Sequence, residues 1–253
     1  MVESEDKWGA FQKNEDDSFH FGFVYIESDA GLTLNYEGTF KILPTGEFIP
    51  TKLNSTNMKV RLQPNSVLVA FIPENKFNEL KIEATPRWLK YYKTNENTIE
   101  RLYKWGYMYN AWGECAKALT FLEKAEKMNP KYSGLVVELA FSYNCLKQYD
   151  KAENILEEEI NSNSSNAYVS KEYIYTLTKI DKIEKAVQQY NSAKKTITDK
   201  QYDAENCYNI LQYFYFKKDI ENFNKWYEEL TTLDVKNKMI RDYADRMKQD
   251  INK

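Results

Sequence analysis

The chain has 253 residues, 42% of them hydrophobic and 29% charged, with only 8 Gly and 6 Pro. That balance describes a globular protein rich in helix, because both glycine and proline break helix interiors. The net charge is −3, and basic residues occur in pairs at most, as at Lys194-Lys195 and Lys217-Lys218. No basic stripe marks a nucleic-acid binder, and no run of 18 apolar residues exists to span a membrane as a helix.

Residues 1–17 carry six acids against Lys7 and Lys13, and they are read as a polar N-terminal segment. An acidic start is the opposite of a leader's basic start and apolar centre, so the chain as written is expected in the cytoplasm. A leader removed ahead of Met1 would instead make it periplasmic or secreted. Residues 18–84 have period two. Phe19, Phe21, Phe23 and Tyr25 form one alternating run, and Leu32, Leu34, Tyr36, Gly38, Phe40 and Ile42 form a second. Such alternation predicts half-buried antiparallel strands, joined here by a hairpin turn at Asp29-Ala30-Gly31. Shorter strands are expected around residues 47–49, 58–62 and 67–72, punctuated by Pro44-Thr45-Gly46 and Pro64-Asn65. Together they make about five strands in a small sheet or open barrel. So small a unit is expected to rest one apolar face on the helices that follow. Residues 85–97 form a junction in which Pro86 starts a turn carrying Trp88, Leu89 and Tyr92. Asn95 to Thr98 then supply capping residues for a long helix.

From residue 98 the chain repeats itself. Ala118, Ala152 and Ala186 are spaced by 34 residues, as are Tyr109, Tyr143 and Leu177 before them and Leu122, Leu156 and Tyr190 after them. In the first copy Leu102, Trp105, Gly106, Tyr109, Ala118, Leu122, Ala125 and Pro130 fall at the spacing of the tetratricopeptide repeat, and residues 98–235 resemble about four such helical hairpins. The fourth copy fits only after a three-residue insertion near Asp199 to Asp203, and its small position is Phe223. Residues 236–253 suit a final amphipathic capping helix, with Met239, Ile240, Tyr243, Met247 and Ile251 along one stripe. The predicted class is therefore α+β: a small antiparallel β domain followed by an α-α superhelical stack.

The resemblance implies a function. In the family, the first helix of each pair lines a concave groove that holds a peptide or protein partner. The corresponding residues here are Tyr103, Tyr107, Asn110, Phe141, Asn144, Tyr168, Lys171 and Tyr175, which would make a ladder of rings edged by amides offered to a peptide backbone. Chaperone-binding members hold a terminal carboxylate with basic and amide residues. The matching positions here are Tyr103, Tyr107, Glu138, Tyr168 and Glu172, so a clamp of that type is not expected.

Little else points to chemistry. His20, the single histidine, lies on a predicted strand with no motif around it. Nucleophile elbow, phosphate loop, dinucleotide fingerprint and metal-binding patterns are all missing, so neither a cofactor nor a metal is expected, and the chain is not expected to be an enzyme. Cys115, Cys145 and Cys207 include no CxxC pair and are read as reduced, half-buried helix residues. The alternative reading is that the β domain binds a ligand or carries an activity, held in an assembly by the repeats.

Overall fold

The computed structural model describes residues 2–52, 58–63, 68–162 and 165–251. Pro64, Asn65, Val67 and Ser164 lie outside the described residues. The chain is mixed α+β and divides into two compact units, Met1–Lys104 and Trp105–Lys253.

Among the described residues the first unit holds six strands: β1 (Lys7–Lys13), β2 (Phe19–Glu27), β3 (Gly31–Ile42), β4 (Phe48–Lys52), β5 (Met58–Arg61) and β6 (Ala70–Phe71). They form one sheet in the order β4-β3-β2-β1-β6, and all the pairings are antiparallel. The long β3 is shared, pairing β5 through Thr33 to Tyr36 and β4 through Gly38 to Ile42. Between those stretches the register with β2 shifts: Phe21 faces Gly38 and Gly22 faces Tyr36, leaving Glu37 over as a bulge. A side chain at Gly22 would run into the Asn35 carbonyl at 2.3 Å, so the strands approach here only because position 22 has no Cβ. The β2–β3 hairpin turns through residues 28–30 into Gly31, whose φ of 78° belongs to the left-handed region.

β1 corrects the expectation for the N-terminal segment. Trp8, Gly9 and Ala10 are buried and paired with β2 despite the acids on both sides. Trp8 joins Phe21, Phe23, Tyr25 and Phe40 in an aromatic core on one face of the sheet. That face is closed by a one-turn helix, α1 (Phe77–Leu80), and by a 3-10 turn over Arg87–Tyr92 that follows Pro86. Polar contacts tie these turns down: Trp8 Nε1 donates to the Glu83 carbonyl at 2.8 Å, and Glu79 accepts from the Phe48 amide at 2.6 Å.

α2 (Ile99–Ala111) crosses the division between the units. The second unit continues as consecutive helices α3 (Cys115–Met128), α4 (Leu135–Cys145), α5 (Tyr149–Asn161), α6 (Ala167–Lys179), α7 (Ile183–Thr196), α8 (Asp203–Lys217), α9 (Ile220–Thr231) and α10 (Lys238–Ile251). Each packs on its neighbour in sequence, and α4, α6 and α8 also pack on one another in succession, which makes a stack of helix pairs. Small residues set the intimacy of the pairs. Ala118, Ala152 and Ala186 are fully buried, and the fourth copy buries Phe223 in their place. Gly106 faces Leu122 so closely that an added Cβ would meet Leu122 Cγ at 2.4 Å.

The final helix differs in detail from the expected stripe. Met239 and Tyr243 are exposed, and Ala244 is the residue buried to completion. α10 packs on α8 and α9 through the line Ile240, Ala244, Met247 and Ile251, with Tyr227 donating to Asp245 at 2.6 Å and Tyr215 to Asp250 at 2.5 Å. Ile240, Met247 and Ile251 of the expected stripe stay on the packed side, and Ala244 takes the place of Met239 and Tyr243.

The cysteine expectation is also corrected. Cys115 and Cys145 form a disulfide with Cα atoms 6.3 Å apart, and Cys207 alone is free and buried. The reason is topological. Cys115 opens α3 and Cys145 closes α4, and consecutive antiparallel helices bring the start of one beside the end of the next. Burial pushes the Cys207 thiol far above its ordinary value, so it stays protonated and unreactive.

Two outcomes follow for stability. Gly106→Ala should force Leu122 aside and lower stability by about 1–3 kcal/mol despite alanine's better helix propensity, measured by urea denaturation. Under denaturing but non-reducing conditions, alkylation should add a single label, at Cys207, and reduction should lower stability by about 2–4 kcal/mol. Three labels without reductant would show that the disulfide does not form.

Candidate partner-binding face of the first helices

The predicted groove residues divide into two layers. Tyr107 is the outermost ring, 51% exposed, while Phe141, Tyr168 and Tyr175 are half-buried. Tyr103 lies in the part of α2 that belongs to the first unit, and it is half-buried too. Asn110 and Asn144 are each only 4% exposed and do not edge the groove.

The asparagines are internal rungs. Asn110 Nδ2 donates to Glu138 Oε2 at 2.8 Å and to the Glu138 carbonyl at 2.9 Å, and its Oδ1 accepts from Ser142 at 2.7 Å. One repeat later Asn144 Nδ2 donates to Glu172 Oε2 at 2.9 Å, and its Oδ1 accepts from Thr176 at 2.9 Å. Each rung thus joins the last turn of one first helix to the middle of the next. Buried and turned towards the next helix, these amides are not offered to a peptide backbone, which overturns that part of the expected role. The 34-residue spacing of Glu138 with Glu172 and of Ser142 with Thr176 was the available signal. Without the fold it did not say that these residues meet Asn110 and Asn144.

The charges beneath the rings are arranged around Lys171. Its ammonium lies 2.9 Å from Glu172 and 3.3 Å from Glu205, and 5.0 and 5.6 Å above the rings of Tyr168 and Tyr202. Those two rings stack, with centroids 5.6 Å apart. Burial opposes the Lys171 charge, but Glu172 and Glu205 outweigh it and hold its pKa above the ordinary value. Glu138 is the reverse case. Burial raises its carboxyl pKa, the Asn110 bond pulls the other way, and the Glu172 charge adds to the rise. Burial, with the neighbouring Glu138 and Glu172 charges, also keeps the Tyr168 phenol protonated. Tyr175 is pushed up to about 12 by burial and by Tyr149, while Lys179 lies over its ring at 4.9 Å. The face therefore presents the phenols of Tyr107, Tyr168 and Tyr175 and the ring of Phe141, with Lys171 paired internally to Glu172 and Glu205.

Elsewhere, a cavity of about 630 Å³ opens between the α3–α4 connection and the ends of α5 and α6, lined by Tyr132, Val136 and Glu159 among others. A second, of about 350 Å³, lies at the last turns of α6 and α8. Val137 lines the first and Thr178 the second, both at groove positions of their repeats, while the rings of Tyr103, Tyr107, Phe141, Tyr168 and Tyr175 line neither. Among the described residues no group of three or more His, Cys, Asp or Glu is placed to hold a metal ion, and no helix is long and apolar enough to cross a membrane. His20 shares a hydrogen bond with Tyr36 at 2.7 Å on the sheet. No model of a known protein family matches the chain, and no curated protein does either.

Glu138 gives a test of the buried layer. Its pKa is raised in the folded state, so its contribution to stability is greatest below the ordinary value of 4.5 and falls as pH rises through the folded value. Glu138→Gln keeps an acceptor for Asn110 and removes that loss. The variant should therefore gain stability relative to the parent as pH rises from 4.5 towards neutrality, measured by denaturation at successive pH values.

Proposed function

We propose that the chain is a tetratricopeptide-type scaffold whose first-helix face, formed by Tyr107, Phe141, Tyr168 and Tyr175, binds a peptide or protein partner. One observation carries the reading: Asn110, Glu138, Asn144 and Glu172 of the first helices are buried and bonded to one another, while the rings of Tyr107, Phe141 and Tyr175, at the same 34-residue spacing, stay exposed or half-buried. Exposed, half-anchored aromatic side chains are the kind that dominate binding energy at interfaces. Neutral phenols add hydrogen-bonding capacity without a charge to desolvate. The 34-residue recurrence supports the family, and the two cavities described above both lie in the helical unit.

The Cys115–Cys145 disulfide bears on compartment. Disulfides persist where the surroundings are oxidising, so it supports a periplasmic or secreted setting over the cytoplasm.

The test separates binding from folding. Tyr107→Ala and Phe141→Ala are made singly, and each is assayed for melting temperature and for retention of partners crosslinked in native extract. Tyr107→Ala should leave melting nearly unchanged and weaken the complex by about 2 kcal/mol or more. Full retention by both variants, or loss only in step with a large fall in melting, would show that the rings are packing groups.

A further inference from the structure

The two halves of the Cys115–Cys145 disulfide have different surroundings. Cys115 is only 2% exposed, whereas Cys145 is exposed. A thiol arriving from solvent therefore meets Cys145 first. The helix ends act in the same direction. Cys145 is the last residue of α4, at the negative end of the helix dipole, where a thiolate is disfavoured. Cys115 is the first residue of α3, at the positive end. The Ala118 amide is bonded to the Glu114 carbonyl at 2.9 Å, so the amides before it point out of the helix start beside Cys115. The first turn of α3 carries Lys117 and no acid. Burial and the adjoining Glu114 oppose a charge on Cys115, and the helix start and Lys117 favour one.

The bridge is also separable from the core. α3 and α4 pack on each other through Ala118, Leu122 and Leu139, all buried, so opening the bond uncovers no apolar core. The buried Cys207 thiol stays protonated and does not compete in exchange.

We propose that Cys115–Cys145 is an exchangeable disulfide, and that Cys145 is the site at which a small thiol modifies the protein covalently. The incoming thiolate sulfur attacks Cys145 Sγ, the bond to Cys115 breaks, and its electron pair leaves on Cys115 Sγ. The product carries a mixed disulfide on Cys145 and a thiolate at the start of α3, with no net change in oxidation state. Return attack by Cys115 on Cys145 Sγ expels the small thiol and restores the bridge. Attack by a second thiolate on the outer sulfur of the adduct leaves Cys145 reduced and releases the small molecule's own disulfide. The inference does not depend on the ring-lined face, because it uses none of those residues.

The experiment uses the full-length oxidised protein and reduced glutathione without denaturant. Samples are quenched with acid at intervals, alkylated and digested, and adducts are located by mass spectrometry, while circular dichroism follows the fold. Opening should be first order in glutathione over about a tenfold range and change by less than about twofold in urea below the unfolding transition. The adduct should favour Cys145 over Cys115 by about tenfold, with the helical signal kept. Cys115→Ser cannot return the attack, so oxidised glutathione should leave a lasting adduct on its Cys145. Cys145→Ser should stay unmodified at Cys115 while folded. A rate that levels off with glutathione and climbs with urea would mean that the bond is reached only through unfolding, and would overturn the proposal. So would no opening, adducts shared equally or found on Cys115, no adduct on folded Cys115→Ser, or absence of the bond in the oxidised protein.

Discussion

The buried amide–carboxylate rungs between successive first helices are the constraint on which the helical unit depends. A carboxylate 3% exposed, as Glu138 is, is tolerated only where hydrogen bonds or charges replace the lost water. Asn110 does this for Glu138, and Asn144 does it for Glu172 with Lys171 on the other oxygen. Each rung needs a donor from one first helix and an acceptor from the next at one relative height. A helix pair displaced along its neighbour would leave a carboxylate buried and unpaired, so the rungs set register as well as contributing contact. The apolar core around Ala118, Ala152 and Ala186 fixes how closely helices approach, but apolar contacts discriminate much less between neighbouring registers.

The rungs also explain why the surface above them is aromatic. With the amides turned inward and the carboxylates satisfied, the outer positions of the first helices are free of structural polar duties. Rings recur there at positions 107, 141 and 175, Tyr107 exposed and Phe141 and Tyr175 half-buried. Lys171, held by two carboxylates and two rings, extends the arrangement to the start of α8. Where the ladder ends, at Thr178 and Asn209, the packing opens into a cavity.

The sheet unit is stabilised by different means. It is small, and its core is built from rings: Trp8 meets Phe23 edge-on at 5.2 Å, and Tyr25 meets Trp88 and Tyr92 at 5.0 and 4.7 Å. Large side chains bury much apolar area per residue, which suits a unit with few residues to spend on a core. The bulge at Glu37 shifts the β2–β3 register midway along β3, at the point where β3 passes from pairing β5 to pairing β4.

Periodicity was legible in the chain because it is local. Alternation over 19–42 yielded β2 and β3, and recurrence every 34 residues located the helix pairs and their small buried alanines. The N-terminal strand was hidden because six acids flank the short Trp8-Gly9-Ala10 core, and its burial is decided by pairing with β2. What each candidate side chain does was decided by packing alone. Asn110 and Asn144 look like groove amides until α4 and α6 bring Glu138 and Glu172 against them. Cys115 and Cys145 look unrelated until antiparallel helices place one helix end beside another. A repeat period states which residues are equivalent. Which of them meet depends on the height and rotation of neighbouring helices, and those are set by non-local contacts that no spacing along the chain encodes.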